Sequence, residues 1–250
     1  MKIIKTIKNL AKKNKTITGI HGISTFLRGI PLKDYLNFKK LILIKKVYPY
    51  TMVSYPRLSN VYELAKLIEK NKTEGAFVEC GVWKGGCAAV MTSIANKAGF
   101  GRQIWLFDSF EGLPEPIDKD GVDKGGVEAK KYAKKCLTSL EDVKKIFFSI
   151  LKINKENVVI KKGWFLETLP DAKQKIGPIS LLRLDVDWYE STKCCLDNLY
   201  DKVVSGGYVV IDDYGFWGGC KKSVDEFLEQ RKLDVDLINI DNTGIYFQKP

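Results

Sequence analysis

At 250 residues and 45% hydrophobic content, the chain suits one α/β domain with embellishments, and its composition excludes a disordered protein. No run approaches the ~18 uninterrupted apolar residues of a membrane span, and lysines interrupt the basic N-terminus MKIIKTIKNLAKKNK too often for the apolar core of a secretory signal. The net charge of +11 is uneven: residues 1–46 hold twelve Lys/Arg and one acid, Asp34, so residues 47–250 are neutral overall, which disfavours nucleic acid as a partner of the main domain.

The chain begins with a helical pattern. Ile3, Ile4, Ile7, Leu10 and Ala11 fall in one arc at ~100° per residue, with Lys2, Lys5, Lys8, Lys12 and Lys13 opposite. Such a basic amphipathic helix packs on its own domain or on a second subunit, or else lies on an anionic membrane surface or contacts nucleic acid. The segment Leu32–Val47 reads as either helix or strand, and residues 58–71 as a helix leading into the main domain.

From Gly75 onward short apolar runs alternate with helical patterns. Strands are expected at 76–82, 103–110, 157–162, 179–186, 207–214, 235–240 and 244–249, with helices near 86–97, 128–151, 189–203 and 219–232. This alternation predicts a doubly wound, mostly parallel sheet, and the two successive strands at the end predict an added terminal hairpin. Residues 111–126, EGLPEPIDKDGVDKGG, are too long for an ordinary connection and read as a functional loop or lid. The six cysteines, with no C-x-x-C pair and irregular spacing, read as reduced thiols of a cytoplasmic protein, most of them small core residues.

Four constellations carry chemistry. Glu79-Cys80-Gly81-Val82-Trp83-Lys84-Gly85-Gly86 ends a strand with an acid and then turns on glycines before a helix, the place where open α/β sheets bind ligands. The phosphate fingerprint G-x-G-x-x-G is absent, and an acid there suits a cationic, phosphate-free cofactor such as S-adenosylmethionine better than a pyrophosphate, although an ordinary strand-to-helix turn would look similar. Asp108 ends the next strand, 27 residues after Gly81, where a carboxylate can accept from ribose hydroxyls. Asp185-Val186-Asp187 and Asp212-Asp213 each follow a hydrophobic strand. If those two strands are neighbours, about 4.8 Å apart, their carboxylates converge, raise one another's pKa and favour a hard cation such as Mg²⁺ or Ca²⁺. The alternative is helix capping by Asp187 and solvated turn acids.

The stretch LLRLDVDWYESTKCCLDNLYDKVVSGGYVVIDDYGFWGGCKKSVDEF (181–227) resembles the macrocin O-methyltransferase family, as do FVECGVWKGG (77–86), LFDSFEGLP (106–114), KGWFLETLP (162–170) and YTMVSYPRL (50–58). The likeness spans roughly residues 50–230, which divides the chain into a basic extension, 1–50, and a methyltransferase domain, 51–250. It implies the class I S-adenosylmethionine-dependent methyltransferase fold, S-adenosylmethionine and Mg²⁺ as cofactors, and a strand order that sets Asp185 beside Asp212. It further implies Asp185, Asp212 and Asp213 as metal ligands, Asp187 as general base, Glu79, Gly81, Asp108 and Ser109 as cofactor contacts, and Gly163 and Trp164 as neighbours of the adenine.

The activity so implied is O-methylation of a hydroxyl on a sugar or glycosylated small molecule. Asp187 alone is too weak a base for a hydroxyl, by a gap of more than about ten pKa units, so help from the cation is expected, with two adjacent acceptor hydroxyls held there. His21 lies outside the matched region and is not expected to act. A homo-oligomer and a cytoplasmic location are expected, with peripheral contact at the inner membrane surface through residues 1–15 as the other role open to the helix. Two rival readings are a membrane-surface binding protein with an inactive methyltransferase fold, against which the four aspartates argue, and an RNA methyltransferase, against which the neutral main domain argues.

Overall fold

The structure, a computed structural model, describes residues 30–250. The amphipathic pattern of residues 1–15 and His21 lie outside the described residues.

Seven strands form one sheet: β1 (Ala76–Cys80), β2 (Ile104–Asp108), β3 (Val158–Lys162), β4 (Ile179–Leu184), β5 (Val203–Ile211), β6 (Ile238–Asn239) and β7 (Ile245–Gln248), in the order β3-β2-β1-β4-β5-β7-β6. The first five run parallel, β7 is antiparallel to β5, and β6 pairs antiparallel with β7. This is the doubly wound sheet with a C-terminal hairpin that the apolar runs predict. Side chains alternate faces along each strand and fill two cores. Phe77, Leu106, Leu181 and Val210 pack on one side with α1 (Phe38–Val47), α2 (Tyr55–Asn71), α3 (Gly86–Ala98) and the short α4 (Leu140–Lys144). Val78, Phe107, Leu182 and Val209 pack on the other with α5 (Phe165–Ile176), α6 (Tyr189–Leu199) and α7 (Gly218–Gln230).

Three elements differ from expectation. The helix expected over 128–151 is a short 3-10 turn, Ala129–Tyr132, and becomes α-helical only from Leu140, where α4 continues as a π-helical turn, Lys145–Ile150. Upstream, Lys134 and Cys136 have φ of 59° and 62°, which a helix excludes, because backbone bonds from Lys134 N–H to the Leu113 carbonyl and from Leu113 N–H to the Lys135 carbonyl, both 2.9 Å, fold the segment onto the long loop instead. Helix α5 was not among those expected. Pro170 lies inside it and forfeits one helical hydrogen bond, but burial of Leu169, Ala172 and Ile176 on one face holds the helix. Strand β5 starts four residues early, with Gly206 at φ 77° absorbing a register shift against β4.

The ambiguous segment Leu32–Val47 is a 3-10 turn, Leu32–Leu36, followed by α1, whose first turn is capped by the Asn37 side chain accepting from Lys40 N–H at 3.1 Å. Ile30, Leu43, Ile44 and Val47 belong to the same core as α2 and α3. Lys40 is 1% exposed, and its ammonium donates to Asp34 at 3.0 Å and to Glu63 at 2.7 Å. The only acid of the basic segment is thus spent inside the protein, where it also accepts from the Tyr55 hydroxyl at 3.0 Å.

Removing one partner of a buried pair strands the other charge, at a cost of about 3 kcal/mol. Asp34→Ala should therefore lower unfolding stability by that order in urea titration. A variant as stable as the parent would mean that Lys40 finds its whole stabilisation at Glu63.

Candidate active site

The sheet register decides which charges meet. Glu79 of β1 and Arg183 of β4 are register partners on adjacent parallel strands, so their side chains stand side by side on one face. Two residues further along β4, Asp185 shares that face, and Asp212 follows Val210 in the same way at the end of β5. The outcome is a buried charge cluster. The Arg183 guanidinium contacts Glu79 at 2.5 Å, Asp185 at 3.1 Å and Asp212 at 2.7 Å. A second guanidinium, Arg57 from α2, pairs with the other oxygen of Asp212. Asp185, Asp212 and Asp213 each bring an oxygen within 4.8 Å of the others.

The apolar surroundings penalise this charge. Burial, reinforced by Asp187, Asp185 and Asp212, pushes the Asp213 carboxyl well above the ordinary carboxylate range. Asp212 is raised as well, burial and Asp185 outweighing the two arginines. Burial raises Glu79 to about 8 against the pull of Arg183, and one Glu79 oxygen has no hydrogen-bond partner. Two guanidiniums thus supply part of the positive charge that the sequence left to a cation alone. With Glu79, Asp185, Asp187, Asp212, Asp213 and Asp241 gathered around them, the carboxyl groups outnumber the guanidiniums.

Asp187 lies at the cleft side of this cluster, in a left-handed backbone conformation at φ 57°. Its Oδ1 accepts from the Trp217 indole N–H at 2.9 Å, and its backbone N–H donates to Asp213 at 3.3 Å. Burial, then Asp185, pushes its carboxyl up to about 7, with the Trp217 bond opposing. Trp217 is itself fixed by edge contacts with Trp188 and Tyr132, at centroid distances of 4.7 and 5.0 Å.

The cleft opens at the carboxyl ends of β1, β2 and β4. Of the residues proposed to touch the cofactor, Gly81, Asp108, Ser109, Gly163 and Trp164 line it, and Asp185 and Asp187 form its opposite wall. Glu79 does not line it, being 1% exposed behind Gly81 and committed to Arg183. Gly81 has φ 80°, and a Cβ there would meet the Asp185 carbonyl oxygen at 1.7 Å, so only glycine lets β1 turn against the end of β4. Asp108 accepts from the backbone N–H groups of Val82 and Trp83 at 2.8 and 2.9 Å and of Phe110 at 2.7 Å. These bonds hold the glycine turn in shape and use about three of the roughly four acceptor positions of a carboxylate, leaving about one for a ligand.

The long loop 111–126 is fastened beside the cleft. The Trp188 indole donates to the Pro114 carbonyl at 3.0 Å, Asp120 accepts from Tyr189 N–H at 2.7 Å, and Asp123 forms a backbone bridge with Trp217. Leu113 and Pro114 of this loop contribute to the wall. Sequence reasoning missed Arg57, Arg183 and Trp217. For Arg183 a signal existed, since a charge inside an apolar strand of a sheet covered on both faces must be paired.

A sheet in this order, with an acidic, glycine-turned cleft at the carboxyl ends of its first strands, defines a class I methyltransferase. The family profile described as Macrocin-O-methyltransferase (TylF) matches residues 45–249. Demethyldecarbamoylnovobiocin O-methyltransferase of Streptomyces niveus is 36% identical over 201 residues, 80% of this chain and 76% of that protein. The 8-demethyl-8-(2,3-dimethoxy-alpha-L-rhamnosyl)-tetracenomycin-C 4'-O-methyltransferase of Streptomyces olivaceus is 32% identical over 203 residues, 80% of this chain and 75% of that protein. The solved structure of the O-methyltransferase NovP superposes with a TM-score of 0.72 at 35% identity, covering 80% of this chain and 82% of that one. The chain belongs to the macrocin O-methyltransferase family and is an S-adenosylmethionine-dependent O-methyltransferase.

Asp108 both shapes the turn and faces the cleft, so Asp108→Ala should weaken S-adenosylhomocysteine binding at least about tenfold by calorimetry, through the loss of about one hydrogen bond to a charged acceptor and of the turn's support. Equal affinity for parent and variant would remove Asp108 from the cofactor site.

Proposed function

We propose that the protein transfers the methyl group of S-adenosylmethionine to a sugar hydroxyl on a glycosylated small molecule, with a divalent cation, Mg²⁺, held by Asp185, Asp212 and Asp213. The observation that carries this reading is the convergence of those three carboxylates beside a cleft that also presents Asp187. The tetracenomycin relative, named for methylation of a rhamnosyl compound, supports a sugar as acceptor.

The donor set fits a hard cation. All three candidate ligands are carboxylates, and the raised carboxyls of Asp212 and Asp213 mark an excess of negative charge that a divalent ion would offset. When bound, the cation would supply Lewis acidity that makes an acceptor hydroxyl easier to deprotonate.

The chain's own residues do the rest. Gly81, Asp108, Ser109, Gly163 and Trp164 bind and orient the cofactor so that its methyl group points across the cleft toward Asp187. Trp217 holds one oxygen of Asp187, which leaves the other to receive the proton. The acceptor oxygen forms a bond to the methyl carbon as the sulfur–carbon bond breaks. S-adenosylhomocysteine leaves with the sulfur electron pair, and the hydroxyl proton passes to Asp187. Walls contributed by Leu113 and Pro114 exclude water from the transfer. A carboxyl near neutrality is matched to the working pH of a base better than an ordinary aspartate.

Chelation by EDTA should abolish transfer without unfolding the protein. Asp212→Asn should raise the Mg²⁺ concentration for half-maximal rate, whereas Asp187→Asn should lower kcat by about a hundredfold or more with that requirement unchanged. Full activity in EDTA defeats the metal reading, and identical metal dependence in the two variants defeats the division of roles.

The base must be ionised to act. With the Asp187 carboxyl raised to about 7, kcat/KM should fall as pH drops through neutrality, and added Mg²⁺ should displace this acid limb to lower pH by favouring the carboxylate. An acid limb that persists in Asp187→Asn would assign the titration to another group.

A further inference from the structure

Arg57 makes two kinds of contact. Its Nη1 pairs with Asp212 Oδ2 at the carboxyl end of β5. Its Nε donates to Asp241 at 3.0 Å, and its Nη2 donates to Thr243 Oγ1 in the turn between β6 and β7. That second anchor is itself well held. Asp241 also accepts from the Ser54 hydroxyl at 3.0 Å and from the backbone N–H groups of Thr243 and Gly244 at 3.0 and 2.9 Å. Burial works against the Asp241 charge, yet Arg57 and those two N–H groups hold its carboxyl well below the usual range. Only one of the donors of Arg57 therefore depends on Asp212, and the guanidinium stays fixed without it.

Arg183 is placed differently. Its side chain is 1% exposed and contacts three carboxylates from three strand ends, so moving it would take the paired guanidinium from Glu79 and Asp185. The Arg57 side chain is 13% exposed and sits at the border of the cluster. Of the two guanidiniums on Asp212, Arg57 is the one that can release the carboxylate at low cost.

Resting on the metal reading above, we propose that Arg57 is the exchangeable counter-ion of Asp212: it neutralises this carboxylate in the metal-free protein and yields it when a divalent cation binds, remaining moored to Asp241 and Thr243. The cation then competes with Arg57 for Asp212 and meets a nearby positive charge. Both effects weaken metal binding, and in return the metal-free protein escapes the cost of a buried Asp212 matched only by Arg183, whose charge is shared with Glu79 and Asp185. Arg57 acts through Asp212 and is a positioning residue. It also makes the mooring of α2 and of the β6–β7 turn to the end of β5 respond to the metal.

The test reads metal affinity and stability directly on the full chain. Mg²⁺ is titrated by calorimetry into EDTA-stripped, dialysed protein, and melting is followed with EDTA and with saturating Mg²⁺. Arg57→Gln keeps an amide donor for Asp241 and removes the charge. It should bind Mg²⁺ roughly tenfold more tightly than the parent, because a competitor and a like charge are gone. It should melt several degrees lower in EDTA, with at least half of that deficit closed by Mg²⁺, since a tighter ligand stabilises more. Arg57→Lys retains the charge and should stay within about threefold of the parental affinity. Equal or weaker Mg²⁺ binding by Arg57→Gln, or a melting deficit that Mg²⁺ leaves unchanged, overturns the proposal while the metal reading stands. No Mg²⁺ binding by the parent or by Arg57→Gln overturns the metal reading itself.

Should Arg57→Gln not fold, arginine side-chain NMR of the parent decides. Restricted rotation at Nη1 in EDTA should be lost in Mg²⁺ while the Nε proton stays protected. Unchanged Nη1 restriction in saturating Mg²⁺ overturns the proposal.

Discussion

A guanidinium in the middle of a parallel sheet carries a desolvation cost of several kcal/mol unless its charge is matched. Arg183 is 1% exposed and meets that condition by contacting Glu79, Asp185 and Asp212, from three neighbouring strand ends. The match works both ways. Without Arg183, three acids would crowd together in apolar surroundings, and without them a cation would be buried alone. The register of β1 against β4, which sets Glu79 opposite Arg183, is thereby tied to the geometry of the reactive end of the sheet. The missing side chain at Gly81 completes this, because β1 can close on the Asp185 carbonyl only where no Cβ intervenes.

The same cluster explains why a raised carboxyl and a strained backbone coincide at Asp187. The residue sits in a left-handed conformation that costs an aspartate of order 1 kcal/mol, and its carboxyl is raised to about 7 by burial and by Asp185. Trp217 fixes one of its oxygens, and Trp217 is wedged between Trp188 and Tyr132. The long loop contributes to this support through Pro114, Asp120 and Asp123, so it helps to hold the proposed base in addition to walling the cleft.

Much of this was legible in the amino-acid order. Asp185 and Asp212 announce themselves because each ends an apolar run, and the alternation of strands and helices identifies the sheet. What stayed hidden depends on tertiary pairing. Arg57 lies just before the helix expected over 58–71 with nothing near it to signal a role, since its partners Asp241 and Thr243 lie over 180 residues away. Asp108 suggested a ribose acceptor, but its three backbone bonds to Val82, Trp83 and Phe110 belong to a turn whose shape no spacing rule reveals. Helix α5 was obscured by Pro170, and the helical pattern before Leu140 gave way to pairing with Leu113. Lys40 is one of many lysines in the basic segment, and its partners Asp34 and Glu63 meet it only in the fold.

The central claim is that Arg183 assembles three strand ends into a place for one divalent ion next to the base. A crystal structure with Mn²⁺ and S-adenosylhomocysteine, with anomalous data collected at the manganese edge, tests it most directly. The account predicts a single strong anomalous peak about 2.1–2.2 Å from oxygens of Asp185, Asp212 and Asp213, close to octahedral Mg²⁺ distances, with Arg183 still bound to Glu79. No peak at those carboxylates, or one lodged elsewhere in the cleft, would contradict it.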